Sequence, residues 1–264
     1  MMKTLRDFTL FLLDMDGTIY LGNHLFPETP GFLKAIRDRG ARYLFLTNNS
    51  SRDKKAYAEK LNRLGIRAGE DDVFSSGDAT AIVLREKGYR RLYVMGTAPL
   101  RALFAREGFL LTEEDPEAVV LGFDQDLTYR RLLLAHEFIK SGIPWICTHP
   151  DLVCPVEGGR DVPDTGAMIR LLEASTGKSP DLIVGKPNRT IIDAVLALTG
   201  GEREKTIMVG DRLYTDIAVG ERAGIASALV LTGETSREDY ENQNEFHADF
   251  VYPSVGEMAK ELSL

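Results

Sequence analysis

Four times along this chain a strand-sized apolar run stops abruptly at a short polar cluster, and that recurrence restricts the fold more than any single motif. Phe11-Leu12-Leu13 runs into Asp14-Met15-Asp16-Gly17-Thr18, and Tyr43-Leu44-Phe45-Leu46 into Thr47-Asn48-Asn49-Ser50-Ser51. Leu182-Ile183-Val184 precedes Gly185-Lys186-Pro187, and Thr206-Ile207-Met208-Val209 precedes Gly210-Asp211-Arg212-Leu213-Tyr214-Thr215-Asp216. Amphipathic stretches of helical period lie between such runs, so the chain reads as βα units around a largely parallel sheet. Ligands of open α/β sheets bind where loops leave the carboxyl ends of the strands, which predicts that the four clusters converge.

The pattern predicts strands over 8–13, 42–46, 91–95, 118–122, 145–147, 182–184, 206–209 and 228–231. Helices are expected over 29–39, closed by Gly40, and over 52–64, with Gly65 past its end, then over 79–87, 99–107, 129–140 and 165–175. No internal repeat or low-complexity tract is present. A chain of 264 residues holds either one large domain or a core with an insertion. The strands and helices of 79–179 read as a domain inserted into a core formed by 1–78 and 180–264.

Composition narrows the function. With 44% hydrophobic and 27% charged residues the chain reads as an ordinary globular protein. Its 32 basic and 40 acidic residues give a net charge of −8 and no long basic block, which argues against nucleic acid as a partner. Apolar stretches are strand-sized, and Asp14 interrupts the N-terminal one, so a signal peptide or spanning helix is not expected and the cytoplasm is. Cys147 and Cys154, the only cysteines, lack zinc-site spacing and read as reduced structural thiols. Phe104, Phe109 and Trp145 read as core residues.

A strand alternates its faces with period two, so Asp14 and Asp16 are expected to project to one side while Met15 turns the other way. Two carboxyl groups in one small space require a neutralising cation or a retained proton. Thr47, Asn48 and the following helix N-terminus suit an anionic oxygen, although the same residue types serve as ordinary helix caps. Lys186 follows a strand directly, with Pro187 able to begin a helix. Asp211 is expected near Asp14 as a metal ligand, and Asp216 either joins the metal site or complements a helix dipole. Hard oxygen donors without nearby His or Cys point to Mg²⁺.

In residue type, order and strand context the four clusters resemble the haloacid dehalogenase-like hydrolase superfamily over nearly the whole chain. An insertion of about a hundred residues between the second and third clusters resembles the large cap of its subfamily IIA, the NagD-like or p-nitrophenyl phosphatase type. The fold class implied is α/β, a Rossmann-like, mostly parallel sheet core with an inserted α/β cap domain that sets substrate specificity. The activity implied is Mg²⁺-dependent phosphomonoester hydrolysis, with a small phosphorylated metabolite as partner and a sugar phosphate as the leading candidate. By resemblance, Asp14 is the nucleophile that forms an aspartyl phosphate, and Asp16 the general acid and base. Lys186 is a catalytic and phosphate-binding cation, and Thr47 and Asn48 bind phosphoryl oxygens. Mg²⁺ is held by Asp14, the Asp16 backbone carbonyl and Asp211, with Asp216 orienting its shell.

Asp16 favours phosphoryl transfer over dehalogenation, which attacks carbon and lacks this second acid. A phosphomutase, a non-catalytic phosphoester-binding protein and a signalling receiver share parts of the constellation, but a receiver needs no inserted domain. The resemblance assigns the loop from His149 to Asp164 to leaving-group contact, with His149, Asp151 and Arg160 as candidates. Thr148-His149 stands where the family often has Thr-Asn. His149 reads otherwise as a solvated loop residue, and Arg160 as paired with Asp151, Glu157, Asp161 or Asp164. Members of the family often pair through their caps, which leaves a homodimer open.

Overall fold

The computed structural model describes residues 3–156 and 160–264, which form two compact units. The first comprises Met1–Thr47, Lys54–Phe74 and Lys186–Leu264, and the second Asn48–Asp53 and Ser75–Gly185.

The first unit is built on a six-stranded sheet in the order Phe250–Tyr252, Ala226–Val230, Thr206–Gly210, Leu10–Leu13, Arg42–Thr47, Val73–Ser75. The four pairings from Phe250–Tyr252 to Arg42–Thr47 are parallel. Leu10–Leu13 is buried along its whole length, as a continuous apolar run requires when helices cover both faces. Phe11 and Leu13 join a core with Phe32, Ile36, Phe45, Ile207 and Val209. The helix Thr29–Asp38 turns Phe32, Leu33 and Ile36 inward at helical spacing, and the Phe32 ring meets Phe11 edge-on at 6.4 Å. Gly40 follows that helix at φ 73°, where its N–H donates to the Arg37 carbonyl at 2.9 Å.

Register decides where the polar clusters emerge. Leu13 lies beside both Val209 and Phe45, so the chain leaves all three strands at one edge, and the Asp14 N–H donates to the Val209 carbonyl at 2.8 Å.

The second unit has its own all-parallel sheet, in the order Leu182–Ile183, Trp145–Cys147, Ala118–Leu121, Arg91–Met95, Leu110–Leu111. Tyr93, Val119, Leu121, Trp145, Ala135, Ile139, Ile169 and Leu172 form its core. Phe104, Phe109 and Trp145 are buried, as expected. The helices Tyr129–Ser141 and Thr165–Thr176 are capped by Thr128 and Asp164 and end at Gly142 and Gly177. An antiparallel hairpin joins Val153–Val156 to Arg160–Pro163. Glu157, a candidate partner of Arg160, lies outside the described residues.

Three features depart from the sequence reading. Leu182–Ile183, which precedes Lys186, pairs with Trp145–Cys147 in the second sheet rather than returning to the first. A two-residue strand carries too little pattern of its own to name its neighbour. The helix expected at Pro187 begins at Thr190 instead. Finally, Asp216 lies in a wide π-type turn, Leu213–Ile217, closed by the Ile217 N–H on the Arg212 carbonyl at 3.2 Å. Such turns recur at functional sites.

Candidate active site

At the carboxyl edge of the first sheet, Lys186 Nζ donates to Asp14 Oδ1 and to Asp216 Oδ1, both at 2.6 Å, and to the Leu46 carbonyl at 3.4 Å. Its ammonium is buried between the two carboxylates. Burial pulls the lysine pKa down, but Asp14 and Asp216 together outweigh it and hold the group charged. Asp14 is held near the point of retaining its proton. Burial, opposed by Lys186 and reinforced by Asp216 and Asp211, pushes its pKa up to about 7.

Asp211 completes the cluster. Its Oδ1 accepts from the Thr18 hydroxyl at 3.1 Å and its Oδ2 from the Glu234 N–H at 2.8 Å. Burial and the charge of Asp216 push its pKa up to about 6. Asp216 Oδ2 accepts from the Arg212 N–H at 3.2 Å. One carboxylate oxygen from each of Asp14, Asp211 and Asp216 lies within 4.8 Å of the others. Gly17 makes the close approach of the Asp14–Thr18 loop to Asp211 possible. It adopts φ 90°, and a Cβ there would collide with the Asp211 carboxylate.

This donor set passes the chemical test for a divalent cation. Three carboxylates share the space, the single positive charge of Lys186 bridges two of them, and Asp211 accepts hydrogen bonds from Thr18 and Glu234. Crowded hard oxygens with upward-shifted pKa values are the environment in which a small divalent ion replaces protons.

Asp16 is placed differently from the other acids. The strand ends at Leu13, so simple alternation does not carry through, and Asp16 is exposed, its Oδ1 accepting from the Gly22 N–H at 3.3 Å. Its carboxylate is not part of the three-acid cluster. Thr47 is buried at the end of Arg42–Thr47.

The remaining candidates belong to the second unit. Asn48 Nδ2 donates to both carboxylate oxygens of Asp151, at 3.1 and 3.2 Å. Its backbone carbonyl accepts a short hydrogen bond from the Ser76 hydroxyl. His149 is not a solvated loop residue but fully buried, with Nε2 3.0 Å from Asp164 Oδ1 and Nδ1 2.9 Å from Thr148 Oγ1. Burial lowers its pKa, but the Asp164 hydrogen bond and charge, with Asp151 behind, reverse the sign and raise it. Arg160 is exposed at the start of its hairpin strand. Burial pushes the Cys147 thiol well above its ordinary range, which suits a structural rather than a reactive cysteine.

One part of the site was missed in the sequence. The strand Ala226–Val230 is followed by Leu231 and then by Thr232-Gly233-Glu234-Thr235, a fifth apolar run ending in a polar cluster at the same sheet edge. The same rule that selected the other four would have found it.

Known proteins resemble this chain in sequence and fold. A family model described as haloacid dehalogenase-like hydrolase matches residues 11–110, and one described as HAD-hydrolase-like matches residues 183–258. The 5'-nucleotidase YutF of Bacillus subtilis is 37% identical over 238 residues, covering 90% of this chain and 91% of that protein. The acid sugar phosphatase of Staphylococcus saprophyticus is 31% identical over 98% of this chain and 99% of its own length. The crystal structure of a 4-nitrophenylphosphatase from Thermotoga maritima superimposes with a TM-score of 0.93 at 45% identity, covering 97% of this chain and 98% of that one. Since the likeness runs through both units and the acidic edge is built at the positions the family models cover, the chain belongs to the haloacid dehalogenase-like hydrolases, in their NagD-like or p-nitrophenyl phosphatase branch.

Proposed function

We propose that this phosphoric monoester hydrolase acts on a small phosphorylated metabolite through an aspartyl phosphate on Asp14. The observation that carries the reading is the buried Lys186 ammonium shared at 2.6 Å by Asp14 and Asp216, with Asp211 alongside. A carboxylate anchored through one oxygen keeps the other available as a nucleophile. Asp14 attacks phosphorus, and the P–O bond to the leaving alcohol breaks. Asp16, exposed beside the nucleophile, gives that oxygen its proton. Asp16 then takes a proton from water, whose oxygen attacks the acyl phosphate, releasing phosphate and restoring Asp14. Lys186, the Thr47 hydroxyl and the amides near Asn48 stabilise charge on the transferring phosphoryl oxygens. Asp14, Asp211 and the Asp16 backbone carbonyl would hold Mg²⁺, with Asp216 as orienter, and the ion would supply charge neutralisation between anionic ester and carboxylates.

The second unit is the specificity cap in this reading. His149 and Asp151 are engaged within it, which leaves exposed Arg160 as the loop residue for leaving-group contact. The nucleotidase, sugar phosphatase and nitrophenylphosphatase relatives differ in leaving group, as expected when the phosphoryl site is common and discrimination lies elsewhere. A sugar phosphate is the favoured substrate. Two free cysteines suit the reducing cytoplasm, and no helix among the described residues is long and apolar enough to cross a membrane. The deciding experiment is kcat/KM over a panel of phosphomonoesters with Mg²⁺ or EDTA. Mg²⁺-dependent turnover supports the reading, whereas a folded, Mg²⁺-binding protein without turnover would point to a mutase or binding protein.

Two further results are expected. Asp16→Asn should slow both half-reactions, lowering kcat by roughly 10²- to 10⁴-fold, and turnover within twofold of the parent would remove Asp16 from acid and base duty. The second concerns pH. Asp14 and Asp211 have folded pKa values of about 7 and about 6, above the value of 3.8 for the unfolded chain. Between those limits the folded state binds more protons, so their contribution to metal-free stability is lost as pH rises through 6 and 7. Mg²⁺ competes with those protons, so the rise in Tm on adding it should be larger at pH 8 than at pH 5.5. An increment that stays level or shrinks would sink the assignment.

A further inference from the structure

We propose that the turn following Ala226–Val230, residues Thr232, Gly233 and Glu234, is a positioning clamp that sets the distance between the nucleophile loop and Asp211. The inference rests on the metal-site reading above and extends it to residues that hold no metal themselves.

Three contacts from this one turn converge on the two loops. The Thr232 hydroxyl donates to the Gly17 carbonyl at 2.6 Å, tying down the loop that carries Asp14 and Asp16. The Glu234 N–H donates to Asp211 Oδ2 at 2.8 Å, and the Thr235 N–H to the Asp211 carbonyl at 3.3 Å. Between them, Gly233 passes so close to Asp211 that a Cβ would overlap its carboxylate. Across the gap, Thr18 holds the other Asp211 oxygen. The carboxylate is thereby fixed from the nucleophile loop on one side and from the turn on the other, while the same turn holds the nucleophile loop itself.

The side chain of Glu234 anchors the turn from outside. Its Oε2 accepts from the Tyr214 hydroxyl at 3.1 Å and lies 3.1 Å from Arg212 Nε. Arg212 and Tyr214 belong to the same polar cluster as Asp211, so the anchor ties the turn to the segment that carries the clamped carboxylate. A positioned carboxylate costs a metal less rearrangement on binding, and groups behind metal ligands typically matter by about 10- to 100-fold in affinity.

The test is Mg²⁺ affinity by titration calorimetry on Thr232→Val, Thr232→Ser and Gly233→Ala, with Tm of the metal-free proteins alongside. Thr232→Val keeps the side-chain shape and removes the donor, so its Kd for Mg²⁺ should rise by about fivefold, while Thr232→Ser should restore parental affinity. Gly233→Ala should weaken Mg²⁺ by about tenfold or more. Its failure to fold would leave the Thr232 pair as the deciding comparison. A merely structural turn would lower the metal-free Tm in Thr232→Val but leave Kd within twofold of the parent, and that result would overturn the clamp. If the parent protein itself bound no Mg²⁺, the metal-site reading would fail first, and the clamp with it.

Discussion

Asp14→Asn is expected to lower kcat on the order of 10⁴-fold or more with every phosphomonoester while leaving the protein at least as stable as the parent. An amide of the same shape cannot form the acyl phosphate, so the loss falls on chemistry and not only on substrate binding. The stability half of the expectation follows from the site. Burial pushes the Asp14 carboxyl up to about 7, so at pH 8 the folded state carries a charge that its surroundings disfavour. Asn removes that cost, and Lys186 keeps Asp216 as a partner. Urea unfolding at pH 8 in EDTA, set beside kcat in Mg²⁺, separates the two effects. Residual turnover above about one part in a hundred would be incompatible with Asp14 as the nucleophile.

Lys186→Met is expected to damage both properties. The methionine fills the space of the stem but leaves Asp14 and Asp216 facing each other without a cation, and breaking a buried ion pair in this way costs about 3 to 5 kcal/mol. The deficit should depend on pH with a definite sign. Without the ammonium the Asp14 carboxyl shifts further upward, so a proton replaces it at low pH and the loss is partly masked. That proton leaves only as pH rises through the raised value, above 7, so the deficit should grow from pH 6 to pH 8. Turnover should fall by roughly 10²- to 10³-fold, the usual cost of removing a preorganised charge partner of the transition state. Equal unfolding free energies for parent and variant at both pH 6 and pH 8 would mean that the pairing contributes nothing. The two variants thus predict opposite stability outcomes from one buried triad, which a general loss of packing would not produce.

Apolar patterning along the chain was enough to specify the α/β class and most of the elements. Arg91–Met95 and Trp145–Cys147 were legible to the residue, because strands buried in parallel sheets must be continuously apolar. Helix ends such as those at Gly40 and Thr165 were legible within a residue, because caps and left-handed glycines act through local geometry. The same local logic marked Asp14, Lys186 and Asp211, each within two residues of an apolar run, and Asp216 at the end of the cluster that holds Asp211, and the structure brings these four together.

The rest depended on contacts between distant parts of the chain. Which sheet the strand before Lys186 joins depends on a partner 36 residues away, across the Leu182↔Ile146 register. The buried pairing of His149 with Asp164, the departure of Asp16 from the acidic cluster and the fixing of Asp211 by Thr18 and Glu234 are long-range matters of the same kind. A polar side chain carries no record in its own sequence of whether it will be solvated or paired. That is settled when strand register places its partner, 193 residues away for Thr18 and Asp211, within hydrogen-bond reach in a space that excludes water.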